Sequence, residues 1–65
     1  MVVVEEAIRT LSAAHREILN ETVLSRRTVN EAADVLALPV ETVKSRVYYA
    51  LRALRIALEE RGVTA

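Results

Sequence analysis

Residues 28–46, TVNEAADVLALPVETVKSR, begin with a short helix that carries its own start signal. Thr28 and Glu31 have the T-x-x-E spacing of a capping box, in which each side chain accepts a hydrogen bond from the other residue's backbone N–H. The spacing predicts a helix over about residues 29–36. Its expected inward face consists of four apolar side chains: Val29, Ala32, Ala33 and Leu36. The two alanines allow a neighbouring helix to approach closely.

The short helix is followed by a break and then by a much longer helical segment. Pro39 disfavours helix in the residue before it and is tolerated where the next helix begins. The turn is therefore predicted at about 37–40, and the second helix runs from about residue 40 to residue 60, before the chain's single glycine. A short helix, a tight turn and a longer helix form the helix-turn-helix pattern.

Two further helices are predicted ahead of this pair. The first covers about residues 4–11 and the second about residues 13–24, with Ser12 as its N-cap. Their expected core-facing side chains repeat at helical spacing: Ala7, Ile8 and Leu11, then Ala14, Ile18, Leu19 and Val23. The predicted fold class is all-α: a small four-helix domain that contains the helix-turn-helix and spans residues 1–65 as a single unit.

The composition excludes several classes of site. The chain has no cysteine, which rules out disulfides and thiolate metal sites, and His15 is its only histidine. The sequence contains no glycine-rich phosphate-binding loop, no ligand set with metal-binding spacing and no nucleophile beside a base. We therefore expect no catalytic activity and neither a metal nor a cofactor, and we expect His15 to be exposed or part of a helix cap.

No segment of the sequence is suited to cross a membrane. The apolar runs are only a few residues long, far below the roughly 20 that span a bilayer. The N-terminal MVVVEE has neither the basic start nor the long apolar centre of a signal peptide. The expected location is the cytoplasm, without membrane insertion.

The long helix has a basic polar face although the chain is neutral overall. Nine basic and nine acidic residues cancel, whereas a free nucleic-acid binder is usually basic. Between residues 42 and 58, four basic residues occur without an acid: Lys44, Arg46, Arg52 and Arg55. The apolar stripe expected to face the core consists of Val43, Val47, Ala50, Leu51 and Leu54. From periodicity alone, DNA binding and a merely solvated basic face are equally compatible with this pattern.

Several residues near the start of this helix suit DNA recognition. The N-terminal half of such a helix reads base edges in the major groove, while flanking basic residues hold phosphates. Ser45 points away from the apolar stripe and can bond several base atoms. Glu41 can accept from cytosine but is favoured as an acid at a helix start, and Thr28 can contact phosphate, although its N-cap role needs no DNA. Tyr48 and Tyr49 diverge by about 100° on a helix, so at least one is expected to cover the core or pack against a partner.

From Arg16 to Leu54 the chain resembles region 4 of bacterial sigma factors, specifically the extracytoplasmic-function (ECF) group. HREILNETVL, residues 15–24, is similar to that family's second helix, and residues 28–46 are similar to its helix-turn-helix signature. The most specific string is TVKSR, residues 42–46, and the YYALRALR that follows one residue later is similar to the family's arginine-rich continuation.

Four residues depart from the family's usual pattern. Arg26, Ala37 and Glu41 stand at positions where glycine is frequent, and Ala32 replaces the usual isoleucine. Ala37 must either avoid a left-handed backbone or accept its cost. Ala32 reduces the core volume, which one of the leucines that follow it is expected to fill. Glu41 is expected to alter the promoter preference.

The resemblance implies that the chain reads the −35 promoter element for RNA polymerase. Its partners would be promoter DNA, the β-subunit flap of the polymerase core and a cognate anti-sigma factor that holds it in check. Residues 1–65 would be the region 4 domain of a longer sigma factor whose promoter-melting region 2 lies N-terminal. Residue chemistry and motif position together predict nine DNA contacts: Thr28, Glu41, Thr42, Lys44, Ser45, Arg46, Tyr48, Tyr49 and Arg52.

Two alternatives remain open on the sequence. A LuxR-like helix-turn-helix output domain of a transcription regulator shares a T-V-K string at the start of its recognition helix, although there the string usually continues toward histidine. A protein-interaction module would bind a partner through its apolar faces and never contact DNA. A steep salt dependence of binding to promoter fragments would distinguish DNA contacts from the second alternative, because only phosphate contacts release counterions.

Overall fold

The computed structural model describes residues 2–62, which contain four α-helices. They are α1 (Val2–Arg9), α2 (Ala13–Glu21), α3 (Val29–Leu36) and α4 (Val40–Glu60). No strand occurs within these described residues, and the predicted all-α fold of four helices is confirmed. The bounds of α3 and α4 agree with the prediction, whereas α1 lies two residues earlier and α2 ends before residue 24.

Side-chain caps set where α2 and α3 begin. Ser12 Oγ accepts a hydrogen bond from the His15 backbone N–H at 3.2 Å. At α3 the capping box is complete, because Thr28 Oγ1 accepts from the Glu31 N–H at 3.1 Å and Glu31 Oε1 accepts from the Thr28 N–H at 2.8 Å. The bond from the Thr28 backbone favours the charged carboxylate and so lowers the pKa of Glu31. Both predicted N-caps are confirmed.

The core lies where α2 and α3 pack against α4. Six buried side chains form it: Ile18, Leu19, Ala32, Ala33, Val43 and Ala50. The predicted inward face of α3 is confirmed, since its two alanines are buried and its other two apolar side chains pack against the cluster. Leu36 and Leu38 contact the same cluster, so leucines at the end of α3 add to the core volume that Ala32 reduces.

A second, smaller contact joins α1 to α4. Ala7 on α1 and Ala57 near the end of α4 are both buried. Beyond the end of α4, Arg61 Nη2 donates to the Glu6 backbone carbonyl at 3.5 Å. The first helix is therefore held against the last by small apolar side chains and one backbone contact.

Two positions of α2 predicted to face the core are exposed. Ala14 is exposed in the first turn of the helix, and Val23 is 52% exposed. The helix ends at Glu21, so Val23 lies in a turn and no longer follows the helical period. Thr22 is buried in its place, and its hydroxyl donates to the Ile18 carbonyl at 2.6 Å.

The predicted apolar stripe of α4 is wrong at one residue. Val43 and Ala50 are buried and Val47 and Leu54 pack against the core, but Leu51 is 42% exposed. Leu51 follows Ala50 and therefore points about 100° away from it. The buried line of α4 runs through the small side chain of Ala50 and leaves the larger leucine at the surface.

Two residues at positions where the family often has glycine adopt left-handed backbones. Arg26 has a φ of 56°, and Ala37, which ends α3, has φ 56° and ψ 44°. An L-residue in this region costs roughly 1–2 kcal/mol relative to the right-handed helix. Ala37 therefore accepts the cost, and its N–H closes the end of α3 on the Ala33 and Asp34 carbonyls.

Replacing Ala37 with glycine is expected to stabilise the domain. Glycine removes the left-handed cost but loses more entropy on folding, about 0.5–1 kcal/mol, which leaves a net gain of roughly 0.5–1 kcal/mol. For a domain of this size, that gain raises the melting temperature by several degrees, on the order of 2–8 °C. Thermal unfolding followed by circular dichroism measures it.

Glu41→Gly is the matched control, because Glu41 also stands at a frequent family glycine but lies inside α4 without a positive φ. There glycine has only its entropic cost, and the melting temperature should fall. A lowered melting temperature for Ala37→Gly would contradict the assignment of strain to this turn.

Candidate DNA-recognition surface

The first three turns of α4 present a polar face away from the core. Val43 and Ala50 anchor the opposite side and are fully buried. Of the nine predicted DNA contacts, eight are exposed and Thr42 is half-buried. Eight of the nine lie on α4: Glu41, Thr42, Lys44, Ser45, Arg46, Tyr48, Tyr49 and Arg52. The structure thus brings the predicted contacts onto one element, with Glu41 in its first turn and Thr28 at the start of α3.

The capping box limits what Thr28 can offer to a ligand. Its backbone N–H already donates to Glu31 Oε1, and its hydroxyl oxygen accepts from the Glu31 N–H. The hydroxyl proton takes part in neither of these two bonds. A phosphate contact by Thr28 would therefore use the hydroxyl and not the amide.

Glu41 lies at the helix start without forming a cap. The N-cap position of α4 is Pro39, which makes no side-chain cap hydrogen bond. The Glu41 carboxylate instead lies 3.6 Å from Lys44 Nζ, and both side chains are mostly exposed. An exposed pair of this kind contributes little to stability, but it places an acid beside the first basic residue of the polar face.

The remaining basic residues of α4 differ in whether they are paired. Arg55 Nε lies 3.7 Å from Glu59 Oε2, one helical turn further on. Arg46 and Arg52 are exposed and take part in no ion pair within residues 2–62. These two guanidinium groups are the strongest candidates to bind an anionic ligand, since such a contact would displace no internal partner.

Tyr48 and Tyr49 form an aromatic pair on the surface. Their ring centroids are 5.2 Å apart and their planes meet at 85°, an edge-to-face arrangement. Tyr48 is 59% exposed and Tyr49 55% exposed. Neither ring is part of the core, because the buried line of α4 leaves both outside it. The part of the expectation that stays a prediction is that one of them packs against a partner.

Shallow grooves flank the two tyrosines. One groove, of about 460 Å³, lies along α4 and is lined by Tyr48, Leu51, Arg52 and Arg55. The other, of about 450 Å³, lies between α2 and α4 and is lined by Ala14, His15, Ile18, Ser45, Arg46 and Tyr49. Five of the nine predicted contacts line these grooves: Tyr48 and Arg52 in the first, and Ser45, Arg46 and Tyr49 in the second.

Sequence reasoning missed two residues of these grooves as part of the surface. The stripe predicted from periodicity places Leu51 in the core, and the sequence shows His15 only as a lone histidine on another helix. The spacing along α4 could have marked Leu51 as the edge of the apolar stripe. No signal in the sequence places His15 beside Ser45, because that neighbourhood depends on how α2 packs against α4.

Across residues 2–62, no three histidine or acidic side chains are grouped so that they could hold a metal ion. Over the same residues, no helix combines the length and the apolar character needed to cross a bilayer.

Comparison with known proteins assigns the helical domain to a family. The family described as "Sigma-70, region 4" matches residues 7–55, which include all four helices in whole or in part. The chain belongs to the sigma-70 region 4 family. The matched range contains all of α3 and α4 as far as Arg55.

The curated relatives that this chain resembles are ECF sigma factors. The chain is 39% identical over 61 residues to "ECF RNA polymerase sigma factor SigL" of Mycobacterium tuberculosis, in the Erdman, CDC 1551 and H37Rv strains. The aligned part covers 94% of this chain and 34% of each relative. The chain thus spans about a third of the length of the curated relatives it matches. The family match favours the sigma interpretation over the LuxR-like alternative.

Proposed function

We propose that this region 4 domain recognises the −35 element of promoters as part of an ECF-type alternative sigma factor. The observation that carries the proposal is the polar face of α4, on which Arg46 and Arg52 are exposed and form no ion pair with any other described residue. Family membership supplies the biological setting. In this arrangement α4 lies in the major groove, and basic side chains on either side hold the sugar-phosphate backbone.

The residue chemistry gives each contact a role. Ser45 and Arg46 offer donors for base edges, and arginine can form two bonds to guanine. Lys44, held near Glu41, and Arg52 suit phosphate oxygens, for which a point charge or a guanidinium fork is sufficient. Glu41 can accept from the cytosine amino group with one carboxylate oxygen while the other stays near Lys44, so it can contribute to the sequence preference.

The proposal also covers the partners and the parent protein. We propose that the domain acts within a longer sigma factor, binds the β-subunit flap of the polymerase core and is held in check by an anti-sigma factor in the cytoplasm. Exposed aliphatic side chains outside the predicted DNA contacts support protein partners: Val23, Leu24 and Val35 are each more than half exposed. No catalytic role is proposed, because the domain's polar residues suit recognition.

A selection experiment tests promoter recognition. The 65-residue chain is incubated at low salt with 20-base-pair duplexes of randomised sequence, and bound duplexes are amplified over several rounds. We expect a short common motif to be enriched, and we expect only weak, roughly micromolar binding of that duplex at physiological salt, because polymerase and the other sigma regions supply most of the affinity.

Two results of the selection would contradict the proposal in different ways. Failure to enrich any motif would contradict sequence recognition. Nanomolar binding by the chain alone at physiological salt would contradict the idea that affinity is shared with polymerase. A duplex of the enriched sequence with its central positions scrambled is the matched control, since phosphate contacts alone would bind both duplexes equally.

A further inference from the structure

The groove between α2 and α4 brings side chains from two helices to one rim. Ala14 and Ile18 form its apolar wall, and Ile18 is only 2% exposed. His15 comes from the first turn of α2 and is half-buried, while Ser45 and Arg46 come from the DNA-reading part of α4. Tyr49 completes the rim. The groove is therefore apolar at its base and carries several hydrogen-bond donors at its opening.

The polar groups at this rim have no partner inside the described part of the chain. None of the hydrogen bonds within residues 2–62 uses the His15 ring, the Ser45 hydroxyl, the Arg46 guanidinium or the Tyr49 hydroxyl. Among the described residues, the lining of the groove contains one permanent positive charge and no carboxylate. Unpaired donors with a net positive charge suit an anion that accepts several hydrogen bonds.

The position of the groove identifies that anion. Ser45, Arg46 and Tyr49 belong to the proposed promoter contact, so a duplex lying on α4 passes the opening of the groove. In helix-turn-helix proteins, helices beside the recognition helix contact the sugar-phosphate backbone and fix the register of the protein on DNA. The atom group that a duplex would present to α2 at this point is a backbone phosphodiester.

We propose that His15 binds a backbone phosphate of the promoter duplex together with Arg46 and Tyr49, so that α2 takes part in DNA recognition. The inference rests on the proposed function and extends it to a helix outside the helix-turn-helix. His15 is here a phosphate-binding residue, with no part in reading bases. Because α2 and α4 are joined through the core, this contact fixes how deeply α4 enters the major groove of the DNA.

A histidine in this position makes the contact responsive to pH. Histidine is the side chain whose ordinary titration changes its charge between about pH 5 and pH 8, and the cation donates from both ring nitrogens. Arg46 and Tyr49 are the charged and titratable groups that face it from α4. On α2 itself, Arg16 Nη1 donates to the Arg9 carbonyl at 3.4 Å and so reaches toward the end of α1. The DNA affinity is therefore expected to rise as the pH falls.

The test measures binding of the selected 20-base-pair duplex at about pH 6 and about pH 8, the range in which histidine changes its charge, at one fixed ionic strength. The unmodified chain should bind about three- to tenfold more tightly at the lower pH, as expected for one added charge-assisted contact. His15→Gln keeps a neutral donor and should bind equally at both values. His15→Arg should bind tightly at both, because its charge is permanent.

A chemical change in the DNA separates a phosphate contact from a structural role. Single phosphates of the duplex are replaced in turn by uncharged methylphosphonates. One replacement should abolish the pH response of the unmodified chain and have a smaller effect on His15→Gln. Melting curves of the variants by circular dichroism should match that of the unmodified chain, since the His15 ring makes no hydrogen bond within the described residues.

The outcomes distinguish this inference from the proposed function. If no motif is enriched in the selection, the proposed function fails and this inference fails with it. If a motif is enriched but His15→Gln retains the full pH response, or no single methylphosphonate removes it, only the role of His15 is overturned.

Discussion

Leu19→Ala is expected to leave the domain largely unfolded at 25 °C. Leu19 is 1% exposed and lies in the cluster that joins α2, α3 and α4. Removing a buried leucine side chain to alanine costs about 2–5 kcal/mol, through lost burial and through the cavity that remains. A domain of this size rarely has more than about 3–5 kcal/mol of stability in total, so the loss is comparable to the whole. Urea unfolding followed by circular dichroism at 222 nm gives the free energy directly.

Leu24→Ala is the matched control, because the same atoms are removed five residues further on. Leu24 is 53% exposed, and its backbone N–H, which the substitution leaves intact, donates to the Leu19 carbonyl at 3.0 Å. The free energy of unfolding should change by no more than about 0.5 kcal/mol. Equal losses for the two variants would mean that the core does not lie where α2 meets α3 and α4.

The helix-turn-helix could be predicted from the sequence because its signals are local. The capping box of Thr28 and Glu31 and the interruption at Pro39 each act within a few residues. The folded chain contains the capping box and the interruption at Pro39 at the positions that the sequence predicts. Apart from Leu51, the exposed positions of α4 also follow from its period of 3.6 residues, which needs no knowledge of neighbouring helices.

The end of α2 could not be predicted, because its stop depends on a turn without a strong sequence signal. The turn is closed by the Leu24 N–H on the Leu19 carbonyl and by the Arg27 N–H on the Thr22 carbonyl. It also contains Arg26 in a left-handed conformation that favours glycine. Because arginine rather than glycine occupies that position, the sequence does not indicate a turn there.

The two grooves beside the tyrosines depend on packing between elements that are distant in the sequence. Whether α4 buries Leu51 or Ala50 is decided by how closely α2 and α3 approach, and alanine permits the closer approach. In the structure Ala50 is buried, Leu51 is exposed beside Arg52, and His15 lines the same groove as Ser45. Periodicity predicts which side chains share a face of one helix, but a groove between two helices also depends on how those helices pack.

Replacing Arg46 or Arg52 with alanine is expected to weaken binding of the selected duplex by about 5- to 150-fold for each residue, which corresponds to roughly 1–3 kcal/mol per direct arginine contact. Neither guanidinium takes part in an ion pair within residues 2–62, so the loss should come from DNA contacts and not from the stability of the fold. Fluorescence anisotropy of the labelled duplex at several salt concentrations measures both the affinity and its salt dependence.

Arg9→Ala separates a specific contact from a change of net charge. Arg9 is an exposed residue at the end of α1, and its replacement removes the same single charge. Its effect on affinity should stay within about twofold, because Arg9 is not among the predicted contacts and an exposed charge without a direct phosphate contact is largely screened at physiological salt. A loss as large as those of the α4 variants would contradict a localised recognition surface.

The salt and sequence dependence of the two α4 variants then assigns a role to each arginine. A residue that holds a phosphate lowers the salt slope by about 0.9 when it is removed and weakens all duplexes alike. A residue that reads a base instead relaxes the preference at one position of the motif. Because Arg46 lies in the groove beside His15 and Arg52 in the groove along α4, we expect Arg52→Ala to lower the slope. For Arg46→Ala we expect both a weaker salt dependence of the affinity and a weaker preference at one base of the selected motif. Arg46 lies in the groove between α2 and α4, where base edges and phosphates are both within its reach.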